Sequence, residues 1–554
     1  MDQAGGRILN VNLGILGHVD SGKTSLAKAL STTLSTAALD KHPQSRERGI
    51  TLDLGFSSFL LPVEEEMKAT DPALAAYTAV QLTLVDCPGH ASLIRTVIGG
   101  ASIMDLVLLV VDGTKGVQTQ TAECLLLAEI TCSGGMIVVV NKLDLLTASA
   151  QEKLERRLRK TLESTRFPSA PLVFVSAAPG ARSDAAPQQL EALLSALKAA
   201  VRLPPRSSEG PFLFAVDHCF GVRGQGTVCT GTVLSGGVAV GDAVEIPSLR
   251  ERRKVKSIQV FRRPVSGVAQ GERCGICLQG MDASALERGL LSSPGAVPTI
   301  YACIVSFGRI AYYKPAVRSN SRFHISIGHS TVMGKVSLFR CTTAADNEAF
   351  SFSREYLYTQ EIPAITDNSK GDPSTYYVLV EFEQPVLCPM GSVYIASRLD
   401  TDIHANTCRL AFHGRLLEAF TEKDYSLSQL RVCKYKEKTG VVDRMMDERT
   451  LVVHSLLKKE SNLELFRNFS VELSTGERGR IEGGFGQSGK LKVHIPEGLA
   501  ATTKEKLEAM AARKKGKGAK STAPDTTAPK ETITVTLRYK SYVYGARGQK
   551  QLSQ

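Results

Sequence analysis

Gly17-His-Val-Asp-Ser-Gly22-Lys23-Thr24 is the stretch on which the reading of this 554-residue chain turns. It follows the apolar run 11–16 and leads into the helical pattern 25–33, so it joins a strand to a helix. Glycines at 17 and 22 let backbone N–H groups turn toward phosphate oxygens at the start of the helix, where the peptide dipoles favour an anion. Lys23 is placed to neutralise β- and γ-phosphate charge, and the Thr24 hydroxyl to ligate magnesium. Gly17, His18, Val19, Asp20, Ser21, Gly22, Lys23 and Thr24 are therefore read as a phosphate loop.

Around this loop, residues 8–200 alternate short apolar runs (82–85, 106–111, 136–140, 172–175) with helical patterns such as 151–162. That alternation predicts an α/β P-loop domain, a doubly wound and mainly parallel sheet with helices on both faces. Such sheets bind ligands at the carboxyl ends of their strands, and the other informative motifs fall there.

Arg46-Glu-Arg48-Gly49-Ile50-Thr51 would put the Thr51 hydroxyl on magnesium only while a γ-phosphate is present, ordering its loop with the triphosphate and releasing it on hydrolysis. Taken alone, the stretch reads as a charged turn. Asp86-Cys-Pro-Gly89-His90 follows the run 82–85. Asp86 would hold the metal through water, Gly89 would offer its N–H to the γ-phosphate, and His90 would position an attacking water as the catalytic residue.

Asn141-Lys142-Leu-Asp144 ends the next strand. A carboxylate at 144 can accept from N1–H and the N2 amine of guanine, whereas adenine would leave it unpaired, so the base is predicted to be guanine. Asn141 would contact the purine edge and the Lys142 stem would cover the ring. Ser176 and Ala177, after a further apolar run, would offer backbone donors to guanine O6. The motifs in this order predict a GTP-hydrolysing switch with Mg2+ as cofactor.

Beyond 203 the texture changes. A linker with Pro204 and Pro205 leads into β-branched runs punctuated by glycine, which predict a small antiparallel barrel over 211–295. A second β-rich unit is expected over 297–413 and a β-rich C-terminal domain over 414–554, the latter carrying a flexible basic linker near 500–530 and a last strand at 532–539 that returns to it.

These residues resemble the elongation factor Tu class. Gly17-His-Val-Asp, Arg48-Gly-Ile-Thr51 and Asp86-Cys-Pro-Gly-His90 match it, as do Gly224-Gln-Gly-Thr-Val-Cys-Thr-Gly231 and Val240-Gly-Asp242 in the following barrel. Within that class the chain is similar to the eukaryotic selenocysteine-specific elongation factors, through Asp53-Leu-Gly-Phe56, Asp217-His-Cys-Phe220, Glu287-Arg288-Gly289 and the domain appended after the third. The resemblance implies delivery of selenocysteinyl-tRNA to the ribosome at recoded UGA codons, with residues 297–413 contacting tRNA and a separate protein that binds the selenocysteine-insertion element as partner. It implies that Asp217, His218 and Arg288 line the aminoacyl pocket, and that Val19 and Ile50 form an apolar gate keeping His90 from the water until the ribosome acts. A selenol is largely anionic near neutral pH, so Arg288 beside His218 would favour it over a neutral serine ester, with Asp217 orienting one of the two.

Two rival readings remain open on residues alone: another aminoacyl-tRNA carrier of the general elongation factor or initiation factor gamma type, and a ribosome-binding regulator with little turnover. The net charge of +12 suits a polyanionic partner. No apolar run approaches the roughly 18 residues of a membrane span. Scattered cysteines and no secretory signal suggest a reducing cytosol, and a cytoplasmic monomer is expected. Cys274-Gly-Ile-Cys277 lacks a second pair and is read as barrel strand, not metal site. Gly484-Phe-Gly-Gln-Ser-Gly489-Lys490 imitates a dinucleotide loop but leads into a strand, so a hairpin turn is expected. The basic run Arg513, Lys514, Lys515, Lys517 and Lys520 reads as a solvated linker, an RNA contact or a nuclear-import signal.

Overall fold

A computed structural model describes residues 7–31, 33–34, 55–88, 103–132, 134–181, 186–260, 263–286, 288–328, 330–341, 349–364, 374–400, 408–486, 489–516, 532–545 and 551–554. The chain divides into two compact units, residues 1–338, 361–371 and 376–423 in one, and 339–360, 372–375 and 424–554 in the other.

The first unit opens with a seven-stranded sheet of β1 (Ile8–Gly17), β2 (Thr33–Leu34), β3 (Gly55–Pro62), β4 (Ala79–Asp86), β5 (Leu106–Asp112), β6 (Met136–Asn141) and β7 (Leu172–Phe174), in the order β2-β3-β4-β1-β5-β6-β7. From β4 to β7 all neighbours run parallel, as the buried apolar runs predict. β3 pairs antiparallel with β4 and places Gly55 opposite Asp86 and Phe56 opposite Val85. Helices α1 (Lys23–Leu30), α2 (Glu65–Thr70), α3 (Thr119–Thr131), α4 (Ala148–Glu163) and α5 (Leu190–Ala200) connect the strands. Two apolar cores result: Leu13, Ile15, Leu26, Leu108 and Val139 fill one, while Leu16, Val107, Leu127 and Val138 fill the other. Alternate residues of each strand serve opposite faces, which is why the runs read as continuously apolar.

The proline-rich segment after α5 is tied down rather than free. Leu203 N–H donates to Asp71 Oδ2 at 2.7 Å, and Arg206 pairs with Asp105 at 2.5 Å. Next come β8 (Leu213–Val222), β9 (Gly226–Ser235), β10 (Gly237–Ala239), β11 (Ala243–Ile246), β12 (Glu251–Val260), β13 (Arg263–Val265), β14 (Gly267–Ala269), β15 (Arg273–Leu278) and β16 (Gly289–Ser292). Their order β11-β16-β8-β9-β15-β12, with β12 returning to β11, closes a barrel. Closure removes exposed sheet edges. Phe214, Val233, Ile246, Ile276 and Leu291 occupy its core. Cys274 and Cys277 lie buried on β15, and among the described residues no cluster of three or more His, Cys, Asp or Glu side chains is arranged to hold a metal ion. A further antiparallel set, including Thr299–Ser306, Tyr376–Leu387, Val393–Ser397 and Leu410–Phe420, packs Phe323, Tyr394 and Phe412.

In the second unit, Arg431–Asp447, Thr450–His454, Lys490–His494, Arg478–Phe485, Ser470–Leu473 and Thr534–Tyr542 pair antiparallel in a closed ring around Leu451, Val493, Val535 and Leu537. Thr534–Tyr542 is the expected returning strand. Phe485 pairs with Lys490, so the glycine-rich imitation of a dinucleotide loop is a hairpin. Glu355–Thr359 adds a parallel strand against Arg431–Asp447, so this unit takes a segment from well before residue 414.

The stretch 500–530 reads as a flexible basic linker, yet Ala501–Gly516 forms a helix, α6. Thr503 and Leu507 are buried, and Met510 packs on the same apolar core, giving the stripe at i, i+4 and i+7 that a helix needs. Residues 517–531, with Lys517 and Lys520, lie outside the described residues.

Candidate functional site

The phosphate loop leaves β1 at Gly17 and enters α1 at Lys23. Gly17 has φ 150° and a Cβ there would stand 2.3 Å from the Val110 carbonyl oxygen, so no larger residue fits. Gly22 has φ 87°, and its missing Cβ leaves room for the Asn141 amide, which would lie 2.1 Å away. That space is used: Asn141 Nδ2 donates to the Ser21 carbonyl at 2.9 Å, and Asn141 Oδ1 accepts from Ala177 N–H at 3.0 Å. One buried side chain thereby ties the phosphate loop, the end of β6 and the loop after β7 into one cradle.

Lys23 is buried and its Nζ donates to the His18 carbonyl at 2.6 Å. Burial lowers its pKa, with Asp86 acting the other way. The ammonium thus sits inside the loop, among the groups that would surround a phosphate. Burial and then Lys23 lower the pKa of His18, which favours its neutral form at pH 7. Thr24 Oγ1 donates to Asp86 Oδ2 at 2.7 Å, which brings the two sequence-predicted metal-site oxygens together between the first turn of α1 and the end of β4. This oxygen-only donor set suits a hard cation such as Mg2+, which keeps several of its own waters. Val19 N–H points to Gln120 Oε1 of α3 at 3.4 Å. Ile50, Thr51, Gly89 and His90 lie outside the described residues.

At the opposite end of the cradle, Lys142 takes a left-handed turn with φ 68°. Its Nζ pairs with Asp112 Oδ2 at 2.6 Å, fixing the stem beside the end of β5. Asp112 escaped the sequence reading, although its place at the end of an apolar parallel strand was a signal. Asp144 accepts from Ser176 Oγ at 2.5 Å and from Gly180 N–H at 3.0 Å. The Ser176 hydrogen bond, with that of Gly180, holds this carboxyl below its ordinary pKa, so it is an acceptor throughout the neutral range. The hydroxyl of Ser176 therefore braces Asp144, a role that its reading as a backbone donor did not include.

The second candidate region lies on the barrel. Asp217 and His218 are on β8, and β16 pairs with β8 so that Gly289 faces Val216. Arg288 immediately precedes β16, and Asp217 immediately follows the last β8 residue that β16 pairs. Arg288 borders a cavity of about 520 Å³ with Ser248, Leu249, Ala285 and Leu286, and desolvation lowers its guanidinium pKa. Asp217 does not orient His218 or Arg288 as expected. Its Oδ2 accepts from Arg273 Nη1 of β15 at 2.5 Å, and Arg273 also stacks on Phe56 of β3, its guanidinium carbon 3.3 Å from the ring centroid. Arg273 was not singled out from sequence, and Phe56 entered only as the end of the Asp53-Leu-Gly-Phe56 motif. An arginine heading the otherwise apolar strand Arg273-Cys-Gly-Ile-Cys-Leu278 was the available signal.

A glycine-shaped loop, an oxygen site between the first turn of α1 and the end of β4, a braced acceptor for guanine and a following β-barrel define a GTP-hydrolysing switch of the elongation factor Tu type. Residues 9–203 match the elongation factor Tu GTP-binding domain. Residues 304–414 match the third domain of the eukaryotic selenocysteine-specific elongation factor, and residues 428–548 its C-terminal RIFT domain. The chain is 46% identical to the selenocysteine-specific elongation factor of Mus musculus, over 97% of this chain and 98% of that one. It is 32% identical to the factor of the same name from Methanocaldococcus jannaschii, over 88% of this chain and 95% of that one. Its fold is similar to the crystal structure of translation elongation factor SelB from Methanococcus maripaludis with the GTP analogue GppNHp, at 26% identity and a TM-score of 0.65, covering 97% and 99% of the two chains. The chain belongs to the selenocysteine-specific elongation factor family and hydrolyses GTP. Among the described residues, no helix is long and apolar enough to cross a membrane.

Proposed function

We propose that this chain carries selenocysteinyl-tRNA to the ribosome at recoded UGA codons, and that hydrolysis of its bound GTP times the release. The observation that carries the nucleotide half is Asn141, whose two buried hydrogen bonds join the phosphate loop to the guanine end of the cradle. Family membership supports the aminoacyl half, as does the place of Asp217 and His218 on β8, the strand that β16 pairs with directly after Arg288.

In this reading Gly17, His18, Val19, Asp20, Ser21, Gly22, Lys23 and Thr24 enclose the phosphates, with Lys23 moving its donor from the His18 carbonyl to phosphate oxygen. Thr24 and Asp86, joined by Thr51, hold Mg2+. When bound, the ion neutralises charge that builds on the phosphate oxygens. Gly89 donates to the γ-phosphate and His90 orients the attacking water. Val19 and Ile50 keep His90 back until the ribosome docks. Asp144 reads the guanine donors, Lys142 covers the base, and Ser176 and Ala177 complete the O6 side. As a translation factor the protein works in the cytoplasm as a monomer, and a separate protein binding the selenocysteine-insertion element directs it to the message.

A different aminoacyl-tRNA as cargo is disfavoured by the C-terminal match at residues 428–548. The deciding experiment compares selenocysteinyl-tRNA with its seryl-tRNA precursor for binding to the GTP-loaded chain, in wild type and Arg288→Ala. Tighter binding of the selenocysteinyl form, lost in R288A, is expected. Equal affinities in the wild type refute the cargo assignment and leave the GTPase standing.

A further inference from the structure

Two thiols meet inside the barrel. The β8–β9 register sets Cys219 directly opposite Cys229, and their sulfurs lie 3.0 Å apart. Directly opposed residues of an antiparallel pair hold their Cα atoms about 4.5–5.5 Å apart, within the roughly 4.4–6.8 Å that a disulfide spans. Cys277, on β15 one residue along from the partner of Cys229, turns its sulfur instead to the Gln225 carbonyl at 3.5 Å.

The two sulfurs are unequal. Cys229 is fully buried in the barrel core, whereas Cys219 is only partly covered. Their shared hydrogen bond lowers the pKa of Cys219 and outweighs burial there; the same bond, together with burial, raises that of Cys229. An accessible thiol of low pKa beside a second, resolving cysteine is the arrangement that reacts with peroxides.

We propose that Cys219 and Cys229 are a redox modification site, oxidised by a hydroperoxide to a cross-strand disulfide that displaces His218 and weakens the barrel's hold on the aminoacyl end of its tRNA. The Cys219 thiolate attacks a peroxide oxygen, the O–O bond breaks, and a sulfenic acid forms as hydroxide leaves. Cys229 then displaces the sulfenic hydroxyl, which departs as water with the Cys229 proton. One S–S bond has formed, and two electrons have passed from the sulfurs to the peroxide. Free thiols of a reducing compartment reverse the step by exchange, so the bridge is transient.

A covalent bond is shorter than the present contact by about 1 Å, so one strand has to move. Cys229 is held on both sides, since β9 also pairs with β15 from Thr227 to Thr232. The ladder between β16 and β8 runs from Leu213 to Val216, and the β8–β9 register shifts between Val216 and His218. Asp217 is anchored to Arg273, so the movement falls on His218 and Cys219. The effect on cargo rests on the aminoacyl reading of Asp217 and His218; formation of the disulfide does not.

The test treats the full chain with hydrogen peroxide and then removes the peroxide. One portion is alkylated and mapped by mass spectrometry; the other is loaded with a non-hydrolysable GTP analogue and titrated with selenocysteinyl-tRNA and with seryl-tRNA. The bridge is quantified again after titration, because the selenol of the cargo itself exchanges with disulfides. A Cys219–Cys229 bridge should form, affinity for selenocysteinyl-tRNA should fall about tenfold, the scale of one lost contact, and dithiothreitol should restore both, with affinity for the GTP analogue unchanged. Cys219→Ser and Cys229→Ala should each bind like the reduced wild type and lose the response to peroxide; C219S, at the partly exposed position, serves if C229A does not fold. A reduced wild type that binds both tRNAs equally removes the cargo reading and the effect on cargo with it, while the mass map still scores the bridge. A selective wild type that forms no Cys219–Cys229 bridge, or forms it without losing affinity, overturns the switch alone, as does a peroxide response that persists in C219S.

Discussion

Arg409 grips Glu123 through a two-point ion pair, Nε to Oε1 at 2.9 Å and Nη2 to Oε2 at 2.7 Å, with both side chains buried. Glu123 lies on α3 of the nucleotide domain and Arg409 immediately precedes the strand Leu410–Phe420. A buried pair of this kind adds little over a well-packed apolar contact, but breaking one side leaves an uncompensated charge. Glu123→Gln should therefore destabilise the first unit by about 3–5 kcal/mol. The double replacement Glu123→Leu with Arg409→Met should recover most of that loss. Denaturant unfolding of the three proteins checks both statements; a double variant no more stable than E123Q would contradict the account.

Asn141 predicts a second, separable effect. Removing its amide by Asn141→Ala unties the Ser21 carbonyl from the Ala177 N–H, leaving two buried backbone groups without their present partner. Each such hydrogen bond is worth about 1 kcal/mol, more when its partner is left buried. The GTP dissociation constant should rise by about 10–100-fold, every 1.4 kcal/mol being a factor of ten. Calorimetric titration with GTP and GDP measures it, and both nucleotides should weaken alike because the bridge lies outside the γ-phosphate site.

How far this was legible in the sequence follows from which contacts are local. The glycine spacing of 17 and 22, the Thr24–Asp86 meeting and the Asn141–Asp144 cradle were predictable because each motif ends a strand of a sheet whose topology constrains where strand ends gather. Phe56–Arg273 and Glu123–Arg409 were not, because nothing local marks which buried charge meets which partner some 200 to 300 residues away. Asp217 was placed correctly on the barrel, but its partner was misassigned for this reason. The helix Ala501–Gly516 was missed because its lysine and alanine content suggested solvation, while only the stripe through Thr503, Leu507 and Met510 carried the contrary signal.

Glu355 supplies a pH-dependent prediction in the second unit. Lys540 Nζ donates to it at 2.5 Å, the Tyr542 hydroxyl donates to its other oxygen, and Arg431 lies 3.4 Å away. Burial would raise its pKa, but the Lys540 and Tyr542 hydrogen bonds outweigh that and hold the folded value below the ordinary one. A carboxyl with a depressed folded pKa contributes its stability above its unfolded pKa, about 4.3, and loses it as pH falls through the folded value. Glu355→Gln should therefore lower the second unit's unfolding midpoint at pH 7, and the gap from wild type should close as the pH is taken below about 4. A gap that stays constant from pH 7 to pH 3 would show that shape, not charge, is what Glu355 contributes.

Asp144 allows the sharpest test of base recognition. With Ser176 and Gly180 donating to its two oxygens, the carboxylate is held in place and ionised, ready to accept from a base carrying two adjacent donors. Guanine presents N1–H and the N2 amine; xanthine presents N1–H beside a carbonyl oxygen. Asp144→Asn exchanges one acceptor oxygen for an N–H donor, which opposes the guanine amine but complements the xanthine oxygen. A site built to hydrogen-bond a particular edge rejects the mismatched one by factors as large as about 10⁴, because buried polar groups are left unpaired. D144N should thus lose GTP hydrolysis at ordinary nucleotide concentration and gain hydrolysis of xanthosine triphosphate, at a maximal rate close to that of wild type with GTP, since the phosphate end is untouched. Turnover with each nucleotide in the presence of ribosomes distinguishes this from simple unfolding, which would abolish both. If D144N kept its preference for GTP, base recognition would have to lie elsewhere in the cradle, with Asn141 as the first residue to examine.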